Sequence, residues 1–112
     1  MNINNGSATS IVLWEAQSST DKLSIWDFEL TVAGSGTVVT LVSGAPTLSG
    51  SAASNKVLAT YTFAADGGIV SPPGKHYKGI TNPGESLLLL STNAVSVTGR
   101  MTALNEIPGL VV

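Results

Sequence analysis

Residues 22–32 read KLSIWDFELTV, a stretch that alternates between apolar and polar side chains. An alternation of period two predicts a β-strand with one face in a core and the other in solvent. Leu23 and Ile25 fall in the opposite phase, which predicts a β-bulge or a change of sheet near Ile25. We expect Trp26, together with Trp14, to anchor the core. The apolar face of this strand holds Trp26, Phe28, Leu30 and Val32.

The same period extends through most of the chain, and no window of ten or more residues shows the 3.6-residue period of a helix. At most, one helical turn is expected at residues 17–21. Glycine-, proline- and asparagine-containing turns separate the strands at short spacing, which is typical of an antiparallel β-sandwich. We therefore predict an all-β, single-domain protein with a flexible N-terminal arm at 1–8, a sandwich at 9–106 and a C-terminal tail at 107–112. The other predicted strands are 11–14, 37–42, 56–63, 85–91 and 94–104.

The composition indicates a protein that associates with partners and does not catalyse a reaction. Charged residues make up 11% of the chain, against about 25% in an average soluble domain, so much of the surface is expected to be neutral and to contact neighbours. The five basic residues are scattered and the net charge is −2, which argues against a nucleic-acid partner. No apolar run approaches the ~20 residues that span a bilayer, and the N-terminus lacks the pattern of a secretory signal. We expect a protein made in a cytoplasm, without a membrane partner.

The residues that could carry catalysis or bind a metal are few. His76 is the only histidine and cysteine is absent, so neither a nucleophile–base pair nor a zinc site is expected. Asp66-Gly67-Gly68 is interpreted as a turn and not as a calcium site. Asp27 and Glu29 share the polar face of their strand and are interpreted as solvated side chains. The sequence therefore predicts no enzyme activity and no cofactor.

One loop and the chain end are the expected partner contacts. The loop after Ser71 combines two prolines, which cannot donate to a sheet ladder, with two lysines, the histidine and a tyrosine. We expect it to join strands of different sheets. The apolar end of the chain could dock on a neighbour. The predicted contact residues are Pro72, Pro73, Lys75, His76, Tyr77 and Lys78 in the loop, Trp14 near the start, and Ile107, Pro108, Leu110, Val111 and Val112 in the tail.

The second half of the chain carries a recognisable order of segments. Residues 57–63 are followed by AADGGIV at 64–70 and a proline-containing loop, then by GESLLLL at 84–90 and AVSVTGRM at 94–101. This order resembles the small jelly-roll proteins of tailed bacteriophages that sit on the capsid as cement or decoration proteins, with related versions in head fibres. The resemblance covers residues 8–106, and its strongest part is the Gly-Glu-Ser-Leu strand followed by Val-x-Val-x-Gly.

The resemblance implies an antiparallel jelly-roll-like sandwich and a structural role on the outer surface of the virion. The implied partners are the major capsid protein and other copies of the chain, as a homotrimer in preference to a dimer, and no catalytic residue is implied. Many relatives have a more aromatic loop where this chain has Lys75-His76-Tyr77-Lys78. The alternative is a head-fibre or tail module that binds a host-surface glycan.

Overall fold

The computed structural model describes residues 1–44, 56–72 and 74–106. These residues form nine β-strands and no helix, which confirms the all-β prediction. Residues 17–21 form a turn in which Asp21 Oδ2 accepts hydrogen bonds from the backbone of Gln17 and Ser18. In chain order the strands are β1 (Asn2–Asn4), β2 (Ser10–Trp14), β3 (Lys22–Ala33), β4 (Thr37–Gly44), β5 (Lys56–Phe63), β6 (Gly68–Ser71), β7 (Gly79–Ile80), β8 (Ser86–Ser91) and β9 (Ser96–Glu106).

The strands build two antiparallel sheets. In the five-stranded sheet the neighbours run β1, β9, β3 and β6, and β7 pairs with β3 beside β6. In the four-stranded sheet they run β2, β8, β4 and β5. Except for β4–β5 and β6–β7, every connection between consecutive strands passes from one sheet to the other. The two sheets therefore enclose one common core.

Both sheets contribute apolar side chains to that core, as expected for sheets packed face to face. Leu41 and Leu89 from the four-stranded sheet and Leu30 and Val97 from the five-stranded sheet are 1% exposed or less. The alternation predicted for β9 is confirmed by the burial of Val97 and Met101. The core cluster consists of Ile3, Leu23, Ile25, Phe28, Leu30, Val32, Val39, Leu41, Phe63, Leu87, Leu89, Val97 and Met101.

The predicted bulge is confirmed, and it lies at Trp26. Ile25 pairs with Ala103 and Asp27 pairs with Thr102, so Trp26 is the extra residue of β3. The inserted residue lets Leu23 and Ile25, before the bulge, face the same core as Phe28 after it. The expectation that Trp26 anchors the core is wrong, because the bulge turns its half-buried side chain out of the core cluster.

A second bulge changes the face predicted for β5. Leu41 pairs with Ala59 and Val42 pairs with Val57, so Leu58 is the extra residue. Leu58 packs against the core, whereas Val57 is 58% exposed. A strictly alternating pattern would place Val57 on the buried face with Ala59. Because of the inserted residue, Val57 lies on the exposed face at the start of the strand.

The start of the chain belongs to the sandwich and does not form the separate arm expected at residues 1–8. β1 pairs with β9, and Ile3 lies in the core with 2% exposure. The Met1 amino group donates to the carbonyl of Met101 (3.0 Å). A three-residue strand with one apolar side chain is too short to show an alternation, so the sequence carries no signal for it.

Candidate functional site

The loop between β6 and β7 crosses the edge of β3 beside the Trp26 bulge. β6 and β7 pair with different parts of β3, β6 through Phe28–Thr31 and β7 through Ser24 and Ile25. The expectation that this loop joins different sheets is wrong, because both strands complete the same edge. The backbone N–H of Lys78 donates to the carbonyl of Ile25 (2.6 Å), which fixes the end of the loop against β3.

An aromatic pair joins the loop to the sheet. The rings of Trp26 and Tyr77 meet edge to face, with centroids 6.2 Å apart and an interplanar angle of 81°, a favourable geometry for aromatic rings. The indole Nε1–H of Trp26 donates to Ser24 Oγ (2.9 Å), and that hydroxyl donates to Glu106 Oε1 (2.9 Å). The tryptophan ring is thus held in place while Tyr77 stays 50% exposed.

The outer face of the five-stranded sheet presents further apolar side chains. Val70 is opposite Glu29 in the ladder, and Leu104 is opposite Ser24. Directly opposed residues share a face, and Val70 and Leu104 are 69% and 53% exposed. Three of the five large apolar residues that are exposed in the described structure, Val70, Tyr77 and Leu104, therefore belong to this face or to the loop beside it. We call this surface, with Trp26, the outer face.

A shallow cleft of about 220 Å³ opens in the outer face next to the loop. On its rim, Arg100 Nε lies 2.8 Å from Glu29 Oε1, so these two charges neutralise each other. The ion pair found among the described residues is that of Arg100 with Glu29, so Asp27 has no ionic partner there. The cleft consequently carries one uncompensated negative charge. Its lining consists of Asp27, Phe28, Glu29, Val70, Ser71, Pro72 and Arg100.

The predicted contact residues divide between the outer face and other parts of the molecule. Pro72 lines the cleft, and Lys75, His76, Tyr77 and Lys78 are all exposed. Trp14 lies on the other sheet, opposite Leu87, and its half-buried ring packs against the core. Pro73, Ile107, Pro108, Leu110, Val111 and Val112 lie outside the described residues.

Sequence reasoning missed three members of the outer face: Trp26, Val70 and Leu104. The alternation of Phe28 and Leu30 predicts Trp26 in the core, and only the pairing of its neighbours Ile25 and Asp27 reveals the inserted residue. Leu104 ends a predicted strand with no sign of its exposure, and Val70 lies in β6, which the sequence does not predict. The apolar alternation changes phase between Ile25 and Phe28. This change predicts the bulge, but it does not show which side chain turns outward.

Within the described ranges, no group of three or more His, Cys, Asp or Glu side chains could hold a metal ion. Asp66 lies in a turn with a φ of 57°, where its Oδ1 accepts a hydrogen bond from the Gly34 backbone (2.8 Å), as the turn interpretation predicts. The described residues contain no helix that is long and apolar enough to cross a membrane. Comparison with known proteins found no matching family model, no similar curated protein and no similar solved structure.

Proposed function

We propose that this protein is a jelly-roll cement protein that binds the outer surface of a tailed-phage head and stabilises it by bridging capsid subunits. The strand pairing supports the jelly-roll part of the proposal. With the two-residue β7 set aside, the first strand pairs with the last, the second with the second-last, the third with the third-last, and the fourth with the fourth-last. This pairing agrees with a jelly roll, in which eight strands form two packed sheets.

The outer face is the feature that supports a binding function. A tryptophan held by a hydrogen bond, an exposed tyrosine and two exposed aliphatic side chains share one surface with two lysines and a histidine of the loop. Rigid aromatic side chains with a polar rim are typical of protein-binding surfaces. A cement protein needs such surfaces to join neighbouring copies or capsid subunits, and on one shell modest individual contacts gain strength from their number.

Binding to phage heads tests this function directly. Heads prepared from a phage that lacks this gene are mixed with the untagged protein, and bound copies are counted by quantitative mass spectrometry. We expect saturation at a fixed copy number per head and a higher disruption temperature for the decorated heads. Heads that bind no protein and disrupt at an unchanged temperature would contradict the proposal.

The tail at residues 107–112 offers a second measurement on the same heads. We propose that it contacts a neighbouring subunit, so deletion of 107–112 should lower the number of bound copies while the β-rich circular dichroism stays unchanged. Equal binding of the full-length and shortened proteins would remove the tail from the proposed interface.

Recognition of a host glycan by a head-fibre or tail module is the second candidate. The exposed ring of Tyr77, held against Trp26, favours it, because aromatic rings present an apolar, rigid face to a ligand. A glycan array distinguishes the two candidates. Specific hits that disappear in Tyr77→Ala would favour the module, and an array without hits would favour the cement protein.

A further inference from the structure

The outer face carries opposite charges side by side. Between Asp66 and Glu85 the chain has no acidic residue, and the loop in this stretch presents Lys75, His76 and Lys78 to solvent. The adjacent cleft holds the uncompensated carboxylate of Asp27. A surface of this kind is complementary to a second copy of itself.

We propose that two copies of this chain associate through their outer faces, with the basic loop of each copy lying over the Asp27 cleft of the other. The proposal deepens the self-association expected of a cement protein, and it does not depend on binding to a capsid. The expected assembly is a dimer through this surface, whereas the sequence resemblance favours a trimer.

The position of the two charged features determines the symmetry. Pro72 lines the cleft and also begins the loop, so the negative and positive features adjoin on one face. A two-fold axis uses the same patch on both partners, and each loop then meets the partner's cleft. A closed ring of three uses two different patches on different sides of each subunit, which this arrangement does not provide.

The centre of the proposed interface is apolar and rigid. Trp26 and Tyr77 lie between the loop and the sheet, and the hydrogen bond from Trp26 to Ser24 holds the indole in place. A rigid aromatic anchor loses little conformational freedom on binding. A standard interface buries about 800 Å² per partner, a modest share of the 6057 Å² of accessible surface.

Charge reversal tests the proposal with the protein alone. Asp27→Lys makes both features of the face positive, and Lys75→Glu combined with Lys78→Glu makes both negative. We expect the wild type to sediment as a dimer and each variant to dissociate at least tenfold more readily, because like charges then meet across the two-fold axis. An equimolar mixture of the two variants should restore the dimer, since every loop then meets a cleft of opposite charge.

Glu15→Lys is the matched control, because it makes the same charge change on an exposed residue just after β2, in the other sheet. We expect it to dimerise like the wild type. Circular dichroism of every variant establishes that the fold is kept, and 0.5 M salt should weaken the wild-type dimer. Sedimentation velocity provides the readout.

Three results would overturn the proposal: a monomeric wild type at high micromolar concentration, reversed variants that dimerise normally, or a mixture that stays monomeric. If a monomeric wild type still saturates phage heads and the loop variant does not, the outer face binds the shell and not a second copy. If the wild type dimerises through this face but ignores heads, the inference stands and the cement function fails.

Discussion

Asn5 fixes the start of the chain to the sandwich. We therefore expect the substitution Asn5→Ala to destabilise the protein. The Asn5 side chain is 3% exposed and makes four hydrogen bonds. The Nδ2 group donates to the carbonyls of Ala8 (2.9 Å) and Val95 (2.8 Å), and Oδ1 accepts from the N–H groups of Ser7 (3.1 Å) and Val97 (2.8 Å). The amide thereby joins the segment after β1 to the start of β9.

The cost of Asn5→Ala follows from the groups that would lose their partners. The N–H of Val97 is buried and the carbonyl of Val95 is partly buried, so neither is readily hydrated after the substitution. A buried polar group without a partner costs about 1–3 kcal/mol. Ser7 and Ala8 are exposed and can bind water instead. We therefore expect Asn5→Ala to lower the free energy of unfolding by about 2–4 kcal/mol.

Urea denaturation followed by circular dichroism measures this loss. With a slope of about 2 kcal/mol per molar urea, the middle of the usual range for small proteins, the midpoint should fall by roughly 1–2 M. Asn4→Ala is the control, because Asn4 is exposed and its Oδ1 accepts only the backbone N–H of Gly6 (2.9 Å), so its cost should stay below about 1 kcal/mol. An Asn5→Ala variant within about 0.5 kcal/mol of the wild type would refute the view that residues 1–8 are integral to the fold.

Three further predictions test the rest of the structure. A Cβ at Gly99 would overlap the carbonyl oxygen of Glu29, so Gly99→Ala should cost about 3 kcal/mol or more in unfolding free energy. Leu89→Ala should cost about 3–4 kcal/mol, because Leu89 is fully buried, whereas Leu104→Ala on the exposed side should cost less than about 1 kcal/mol; thermal melts compare the pair. Hydrogen bonds from the Ser18 hydroxyl and from backbone N–H groups hold the pKa of Asp21 below its ordinary value. The stabilisation that the ionised Asp21 provides is therefore present above about pH 4 and is lost as the pH falls through the lower pKa of the folded state. The melting temperature of Asp21→Asn should therefore fall less than that of the wild type on acidification from about pH 5 to pH 2, and parallel curves would contradict this assignment.

The sequence was informative wherever a strand was long enough to show its period. Six of the strands, β2, β3, β4, β5, β8 and β9, follow predicted stretches closely, because half-buried strands alternate and more fully buried strands form continuous apolar or β-branched runs. β1, β6 and β7 were not predicted, since strands of two to four residues contain too few side chains to define a period. The candidate loop was found from its prolines and lysines, whereas the sheet face beside it was not.

The all-β class, the positions of the long strands and a bulge near Ile25 can be predicted from the amino-acid order alone. Which strands are neighbours, and hence that Trp26 turns outward to meet Tyr77, depends on the fold as a whole. The physical reason is that alternation is a property of one strand, whereas the face on which a side chain lies depends on its register with a partner. A single inserted residue reverses that face, and the resulting surface is the part of the protein on which its proposed partners depend.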